Sequence, residues 1–164
     1  MKYTDTQIGF QEFPDEISLL INISNCPHHC SGCHSPELWE DVGIELNTKS
    51  LNILLMNNKG ISCVGFMGGD SDLTILEKLV KYIREWYPKL KVGWYSGFSN
   101  WGMNINVDLF DYIKLGPYIK ERGGLNNPNT NQRFFIKGNL LHKIDANPNR
   151  FYDITDNFWK HDKG

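Results

Sequence analysis

One segment, Cys26-Pro27-His28-His29-Cys30-Ser31-Gly32-Cys33, carries three thiol groups at a C-x3-C-x2-C spacing. A closed structural zinc site takes four ligands, and a cubane iron–sulfur cluster normally takes four cysteines. Three cysteines at this spacing can hold three irons of such a cluster and leave the fourth iron open. The segment, called the cysteine loop below, therefore predicts a metal centre at which a small molecule binds and reacts.

The other cysteine and the histidines leave one alternative open. The chain has four cysteines, and a disulfide scaffold would spread them along the sequence rather than cluster three of them. Cys63 lies in an apolar segment and is expected to be a small core residue. A structural zinc site of three thiolates and one imidazole stays an alternative, and its candidate histidines are His28, His29 and His34. His142 and His161 are expected at the surface.

Composition predicts an ordinary globular chain. The 164 residues fit one domain, with 40% hydrophobic and 22% charged residues. The net charge of -2 gives no support for nucleic-acid binding. No apolar stretch is long enough to cross a bilayer, and residues 1–5 lack the features of a signal peptide. We therefore expect a cytoplasmic protein without a nucleic-acid or membrane partner.

Strands and helices alternate along the first two thirds of the chain. Leu73, Leu76, Leu79, Val80 and Ile83 recur at helical spacing, and Thr48 is a candidate N-cap. Alternation of this kind predicts an α/β fold with parallel strands and right-handed connections. The predicted strands are 16–23, 61–67, 90–94 and 112–115, and the predicted helices are 48–57 and 72–87.

The C-terminal third has a different pattern. Two apolar segments, 133–137 and 140–144, flank Gly138-Asn139, which predicts a β-hairpin with a two-residue turn. Before them, residues 123–131 are rich in glycine, asparagine and proline and form a long loop. Composition alone fits a functional loop and a plain surface connection equally well.

Unusual residues follow each of the four predicted parallel strands. In parallel βα folds the reactive groups gather at the carboxyl ends of the strands. The cysteine loop follows the first strand and Gly68-Gly69-Asp70 the second. Tyr95-Ser96-Gly97 follows the third, and Lys114 and Gly116 end the fourth. We therefore expect these groups to share one rim of the sheet.

Each of these residues has a chemical and a plain structural interpretation. Gly68 and Gly69 let the backbone approach a ligand closely, and Asp70 can accept a hydrogen bond from a ligand ammonium. The three residues also suit a simple turn before a helix. Ser96 offers a hydroxyl group. Lys114 can reach a ligand carboxylate or ribose, or it can extend its ammonium to solvent.

These segments resemble the radical S-adenosylmethionine (SAM) superfamily and, more narrowly, the activating proteins of anaerobic (class III) ribonucleoside-triphosphate reductase. The resemblance covers most of the chain. Two positions differ from many superfamily members: Asp70 stands in place of glutamate, and Gly32 in place of an aromatic residue, although reductase activators also have glycine there. The resemblance rests on NISNC (22–26), CSGCHS (30–35), FMGGD (66–70), WYSG (94–97), DYIKLGPY (111–118) and TNQR (130–133).

The resemblance implies a fold and a set of site residues. The fold would be a short, incomplete (β/α) barrel of parallel strands with a C-terminal β-hairpin, in a single domain spanning 1–164. An open iron of a [4Fe–4S] cluster would chelate the amino and carboxylate groups of S-adenosyl-L-methionine. The implied cluster ligands are Cys26, Cys30 and Cys33; the implied SAM-binding residues are Gly68, Gly69, Asp70, Ser96 and Lys114. The adenine contacts and the role of Arg133 and of the 118–133 segment stay unassigned.

The resemblance also implies a reaction and partners. One electron from the reduced cluster would break the sulfonium carbon–sulfur bond and yield methionine and a 5′-deoxyadenosyl radical. That radical would take a hydrogen atom from a glycine of the large reductase subunit, so the chain would be a glycyl-radical-activating oxidoreductase. A flavodoxin or ferredoxin-type protein would donate the electron. The alternatives are a radical SAM enzyme for another glycyl-radical protein or a small molecule, such as a deazapurine synthase, and a non-catalytic metal-binding module.

Overall fold

The computed structural model describes residues 1–160 and shows one mixed sheet of eight strands. His161, predicted at the surface, lies outside the described residues. His142 is exposed, as predicted. The strands are β1 (Lys2–Gly9), β2 (Ser18–Ile23), β3 (Ile44–Glu45), β4 (Cys63–Met67), β5 (Lys91–Tyr95), β6 (Tyr112–Leu115), β7 (Arg133–Lys137) and β8 (Phe151–Asp153).

The centre of the sheet is parallel and its margins are antiparallel. The strand order is β3-β1-β2-β4-β5-β6-β7-β8, and the neighbours β2, β4, β5 and β6 pair in parallel. These are the four strands that the sequence predicts. They are almost wholly buried, as parallel strands covered on both faces usually are. The edge strands of the described sheet are β3 and β8, and closure into an incomplete barrel stays a prediction.

Two helices cover one face of the sheet. They are α1 (Thr48–Asn57) and α2 (Leu73–Trp86). The N-cap of α1 is Asn47 rather than the expected Thr48, because its side chain accepts hydrogen bonds from two backbone amides, and the Ser50 hydroxyl accepts from the Asn47 amide. Asp72 caps α2 by accepting from the amide of Ile75 at 3.0 Å. Both helices thus begin where a polar side chain satisfies otherwise unpaired amides.

Phe13 belongs to a second core cluster, which packs on the opposite face of the sheet. Its ring is fully buried and lies 5.4 Å from that of Tyr95 and 5.5 Å from that of Tyr112. Beneath the ring, Gly65 of β4 and Gly93 of β5 are paired neighbours in the sheet. A Cβ atom at Gly93 would lie 2.0 Å from the Phe13 ring. The two glycines therefore form a floor that admits the aromatic ring.

We expect Gly93→Ala to destabilise the protein by about 1–3 kcal/mol, because the added methyl group overlaps a ring that is closely packed on every side. Urea unfolding measures this effect as a lower transition midpoint. Gly124→Ala is the matched control, since its Cβ would lie 3.8 Å from the nearest atom. Equal midpoints for the two variants would contradict this packing argument.

The C-terminal strand pair differs from the predicted hairpin. Residues 140–144 are not a strand, and β8 pairs with β7 in their place. A tight type I′ turn needs positive φ at both central residues, and neither Gly138 nor Asn139 has one. The chain instead forms a short 3-10 turn, and Leu140 and Leu141 pack against the core around Phe134. The predicted second strand is therefore wrong, although an antiparallel C-terminal pair exists.

Within residues 1–160, no helix combines the length and the apolar character needed to cross a membrane.

Candidate functional site

The carboxyl ends of β2, β4, β5 and β6 surround one cavity of about 260 Å³. This is the shared rim that the sequence predicts, because the strands are parallel and their following loops leave the sheet on the same side. All eight predicted site residues line the cavity: Cys26, Cys30, Cys33, Gly68, Gly69, Asp70, Ser96 and Lys114.

The cysteine loop has a compact backbone. The amide of Cys26 donates to the carbonyl of Leu38 at 2.9 Å, and the amide of Cys33 donates to the carbonyl of Cys30 at 3.0 Å. Gly32 has a φ of 75°, a left-handed conformation that glycine adopts without strain. The loop is thus tied to the following 3-10 helix at Pro36–Trp39, and the thiols stay on the cavity side.

The arrangement of the three thiols suits an iron–sulfur cluster, in which each thiolate binds a different iron. All three are free and partly exposed. Burial raises the pKa of the Cys26 thiol. Like any cysteine ligand, this residue loses its proton when it binds a metal. Among the described residues, no group of three His, Cys, Asp or Glu side chains converges on a single metal ion. Cluster ligands need no such convergence, because each thiolate of a cubane binds its own iron.

Cys63 lies away from this cavity. It begins β4, whereas the cavity is at the other end of the same strand, roughly 13 Å further along the strand at ~3.3 Å per residue. Its side chain is fully buried in the core around Phe13, and burial raises the pKa of its thiol. The prediction that Cys63 is a core residue is confirmed.

Asp70 is the most heavily bonded acid of the cavity. Its Oδ2 atom accepts from the Ser96 hydroxyl at 2.9 Å and from the Gly97 amide at 2.8 Å, and it lies 2.5 Å from Nε2 of His28. Its Oδ1 atom is buried and has no hydrogen-bond partner among the described residues. Buried carboxylate oxygens are normally satisfied. The remaining acceptor capacity of Asp70 therefore marks a place for a donor from outside the chain.

Gly68 and Gly69 shape the turn that carries Asp70. Their φ angles are 115° and 103°, which L side chains rarely adopt. The amide of Gly68 donates to the carbonyl of Tyr95, and its carbonyl accepts from the indole of Trp94, both at 3.1 Å. Both polar backbone groups of Gly68 are thus used inside the fold. Its contribution is conformational rather than the direct ligand approach expected from the sequence.

Ser96 holds Asp70 in place. Its side chain is buried, its hydroxyl donates to Asp70, and it accepts from the amide of Phe98 at 3.0 Å. The hydroxyl therefore has both of its main bonding directions occupied by the protein. Ser96 lines the cavity as predicted, and the contacts give it the task of orienting the carboxylate.

Lys114 is a buried cation beside the thiols. Its ammonium donates to the carbonyls of Ser96 at 3.2 Å and Gly116 at 2.8 Å, and the residue is only 8% exposed. The solvent-directed alternative for this lysine is therefore wrong. Burial lowers the pKa of Lys114 to about 8, and the nearby Asp70 and cysteine thiolates oppose that shift.

The buried lysine predicts a specific pH dependence of stability in the metal-free protein. Because its folded pKa of about 8 lies below the usual 10.5, the unfolded chain binds more protons between these two values, and the contribution of Lys114 to stability rises with pH across that window. The free energy of unfolding of wild type minus that of Lys114→Met should therefore increase from pH 8 to pH 10.5 by on the order of 3 kcal/mol. Denaturant titrations at a series of pH values measure this difference, and Lys49→Met, at an exposed position, is the control. A difference that does not change with pH would contradict the prediction.

Sequence reasoning missed several residues beside the thiols. His28, weighed only as a zinc ligand, is bonded to Asp70. His29 stacks on Trp39 with ring centroids 4.9 Å apart, and the buried indole nitrogen of Trp39 has no partner among the described residues. His34 lies 4.9 Å from the ring of Tyr118, which also lines the cavity. The signal available in the sequence was the pair His34 and Trp39, which follow closely after the last cysteine.

The segment before β7 borders the cavity without placing Arg133 there. Gln132 lines the cavity and is buried, whereas Arg133 is exposed, with Nε 3.8 Å from the Asp153 carboxylate. Arg133, whose role the sequence leaves unassigned, is thus an exposed residue of β7 outside the cavity lining. In the preceding loop, Asn131 donates to the carbonyl of Pro117 at 3.0 Å, which ties the loop to the end of β6.

Comparison with known proteins identifies a family. A family model described as a 4Fe-4S single cluster domain matches residues 17–132, more than half of the chain. The matched region contains the cysteine loop and the four parallel strands. The chain belongs to this family and is an iron–sulfur protein. No curated protein and no solved structure matches it.

Proposed function

We propose that this member of the 4Fe-4S single cluster domain family is a radical SAM activase, which reductively cleaves S-adenosyl-L-methionine and generates a glycyl radical on anaerobic ribonucleoside-triphosphate reductase. One observation carries the proposal. Three free thiols, a buried carboxylate and a buried ammonium surround the same cavity at the carboxyl ends of the parallel strands, and one oxygen of the carboxylate has no partner within residues 1–160.

The cysteine loop would hold the cluster. Cys26, Cys30 and Cys33 are the three thiols that line the cavity, and Cys63 begins its strand at the far end. When bound, the cluster supplies the electron that cleaves the SAM carbon–sulfur bond. Three ligands from the chain would leave one iron free for the substrate, a feature that a four-cysteine site would lack.

The other cavity residues suit the charges of SAM. Asp70 offers Oδ1 to the methionine ammonium, because Oδ2 is already used by three protein donors. Lys114 places a positive charge in the same cavity, within reach of a carboxylate or of the ribose hydroxyls. Apolar side chains of Ile23, Leu38 and Met67 also line the cavity.

The overall reaction balances with one external electron. A reduced flavodoxin or ferredoxin-type protein donates the electron, and a glycine Cα–H of the reductase donates one hydrogen atom. Together they convert SAM to methionine and 5′-deoxyadenosine and leave an unpaired electron on the glycine. The activase would contribute the cluster ligands and the ammonium acceptor, and the bond cleavage would be chemistry that the cofactors supply.

The test is anaerobic reconstitution with iron and sulfide. We expect a brown protein with a cluster spin-resonance signal that changes when SAM is added, and formation of 5′-deoxyadenosine under reduction. Adding the anaerobic reductase should then produce a glycyl-radical signal. A colourless protein that holds one zinc would reject the cluster chemistry. SAM cleavage without a glycyl radical would instead point to another radical protein or a small-molecule substrate.

A further inference from the structure

We propose that His28 is a positioning residue that fixes the Asp70 carboxylate, so that Oδ1 is the oxygen offered to the ammonium group of the bound substrate. The inference rests on the proposed function in one respect, because the substrate with the ammonium is SAM. It adds a role for a residue in the middle of the cysteine loop that is not itself a cluster ligand.

The contact between His28 and Asp70 joins two segments that are far apart in sequence. The imidazole Nε2 lies 2.5 Å from Oδ2 of Asp70, across 42 positions of the chain. The carboxylate side chain is 2% exposed and that of the histidine 20%. A hydrogen bond to a buried carboxylate is among the stronger polar contacts in proteins. The cysteine loop therefore reaches across the cavity and holds the acid that follows β4.

The His28 ring is itself held from two sides. It meets the ring of Phe98 edge-on, with centroids 5.2 Å apart and an interplanar angle of 89°. It also packs on the backbone of Gly97, where a Cβ atom would lie 2.4 Å from the imidazole Cδ2. The missing side chain at Gly97 creates the space for the imidazole. A fixed ring can orient its hydrogen-bond partner, whereas a mobile one cannot.

The distribution of donors then selects the free oxygen. Oδ2 of Asp70 is bonded by His28, Ser96 and Gly97, and Oδ1 by none of the described residues. Without His28, the carboxylate keeps two donors from one short segment and gains freedom to rotate. Part of the affinity for the ammonium would then be lost, because substrate binding would have to restrict the rotation of the Asp70 carboxylate.

His29 provides a matched control within the same loop. It is the next residue, it is exposed, and its ring stacks on Trp39 at an interplanar angle of 16°. It is not among the residues that line the cavity. A change at His29 therefore alters the same loop without touching Asp70.

The experiment measures the SAM dissociation constant of the cluster-loaded protein by equilibrium dialysis. We expect His28→Leu to raise it about tenfold, which is typical for a lost hydrogen bond to a charged group. His28→Gln, which keeps a donor near the position of Nε2, should raise it less than about threefold, as should His29→Leu. Iron content should stay unchanged in all three. Equal effects of His28→Leu and His29→Leu would overturn the inference.

A double-mutant cycle separates positioning from general disruption. In an Asp70→Asn background, His28→Leu should change the dissociation constant less than about twofold, because the group that it orients has lost its charge. An undiminished effect in that background would overturn the role of Asp70 as the intermediary. If wild-type protein with an intact cluster binds no SAM, the proposed function fails; if SAM binds and His28→Leu has no effect, only the inference fails.

Discussion

Cys30→Ala should abolish SAM cleavage, with a loss of at least about 100-fold, and should prevent assembly of a stable cluster. Changes to residues that merely support a metal ligand already cost 10–100-fold, and Cys30 is one of only three thiols on the cavity. Iron and sulfide analysis of the reconstituted protein, together with the yield of 5′-deoxyadenosine, measures the outcome. The variant should still fold, since the thiol is partly exposed.

Cys63→Ala is the control for that result. Its side chain is fully buried at the opposite end of β4, so its loss should lower stability by about 1–2 kcal/mol. Cluster content and SAM cleavage should stay close to wild type. If Cys63→Ala lost the cluster and Cys30→Ala kept it, the assignment of the ligands to the cysteine loop would be wrong.

Asp70→Asn should weaken SAM binding about 10- to 100-fold while leaving the cluster in place. The substitution keeps the size of the side chain and removes the negative charge that, in the proposed function, pairs with the ammonium of SAM. A charge-assisted hydrogen bond is worth about 1.5–3 kcal/mol, and each 1.4 kcal/mol corresponds to a tenfold change in affinity. Dialysis against SAM and the absorbance of the cluster separate the two effects.

Asp72→Asn serves as the neighbouring comparison. This acid is two positions further along, is exposed, and caps α2 through the amide of Ile75. Because asparagine is also a good N-cap residue, stability and SAM affinity should both stay near wild type. A loss of SAM affinity as large for Asp72→Asn as for Asp70→Asn would contradict a specific role of Asp70. It would show that SAM affinity depends on the overall negative charge near the turn.

The central elements of the fold could be predicted because their signals are local. α1, β6 and β7 have the bounds expected from the sequence, and α2 differs only in its cap residues. Apolar periodicity and the residues that end an element are sufficient for such segments. The four parallel strands lie side by side in the order in which they occur along the chain, which is the usual arrangement of successive strands in a sheet.

The marginal strands could not be predicted in the same way. β1 has the polar sequence KYTDTQIG, and its pairing with β2 depends on backbone hydrogen bonds rather than on an apolar pattern. β3 has two residues, and β8 has three and follows a long connection from β7. Segments this short carry too few residues to show an alternating apolar pattern.

Local sequence was also sufficient to predict that the candidate ligands and binding residues share one cavity. The cysteine spacing and the place of each motif after a strand are properties of the linear chain, and parallel strands bring their carboxyl ends to one edge. Tertiary structure alone settled how the cavity is charged. Three features show this: the contact of His28 with Asp70, the bonds of Gly68 and the environment of Lys114. Their hydrogen bonds join residues 18 to 42 positions apart, and Lys114 is also buried. Hydrogen bonding and desolvation depend on which residues are close in space, and a local sequence pattern does not predict such contacts between distant segments.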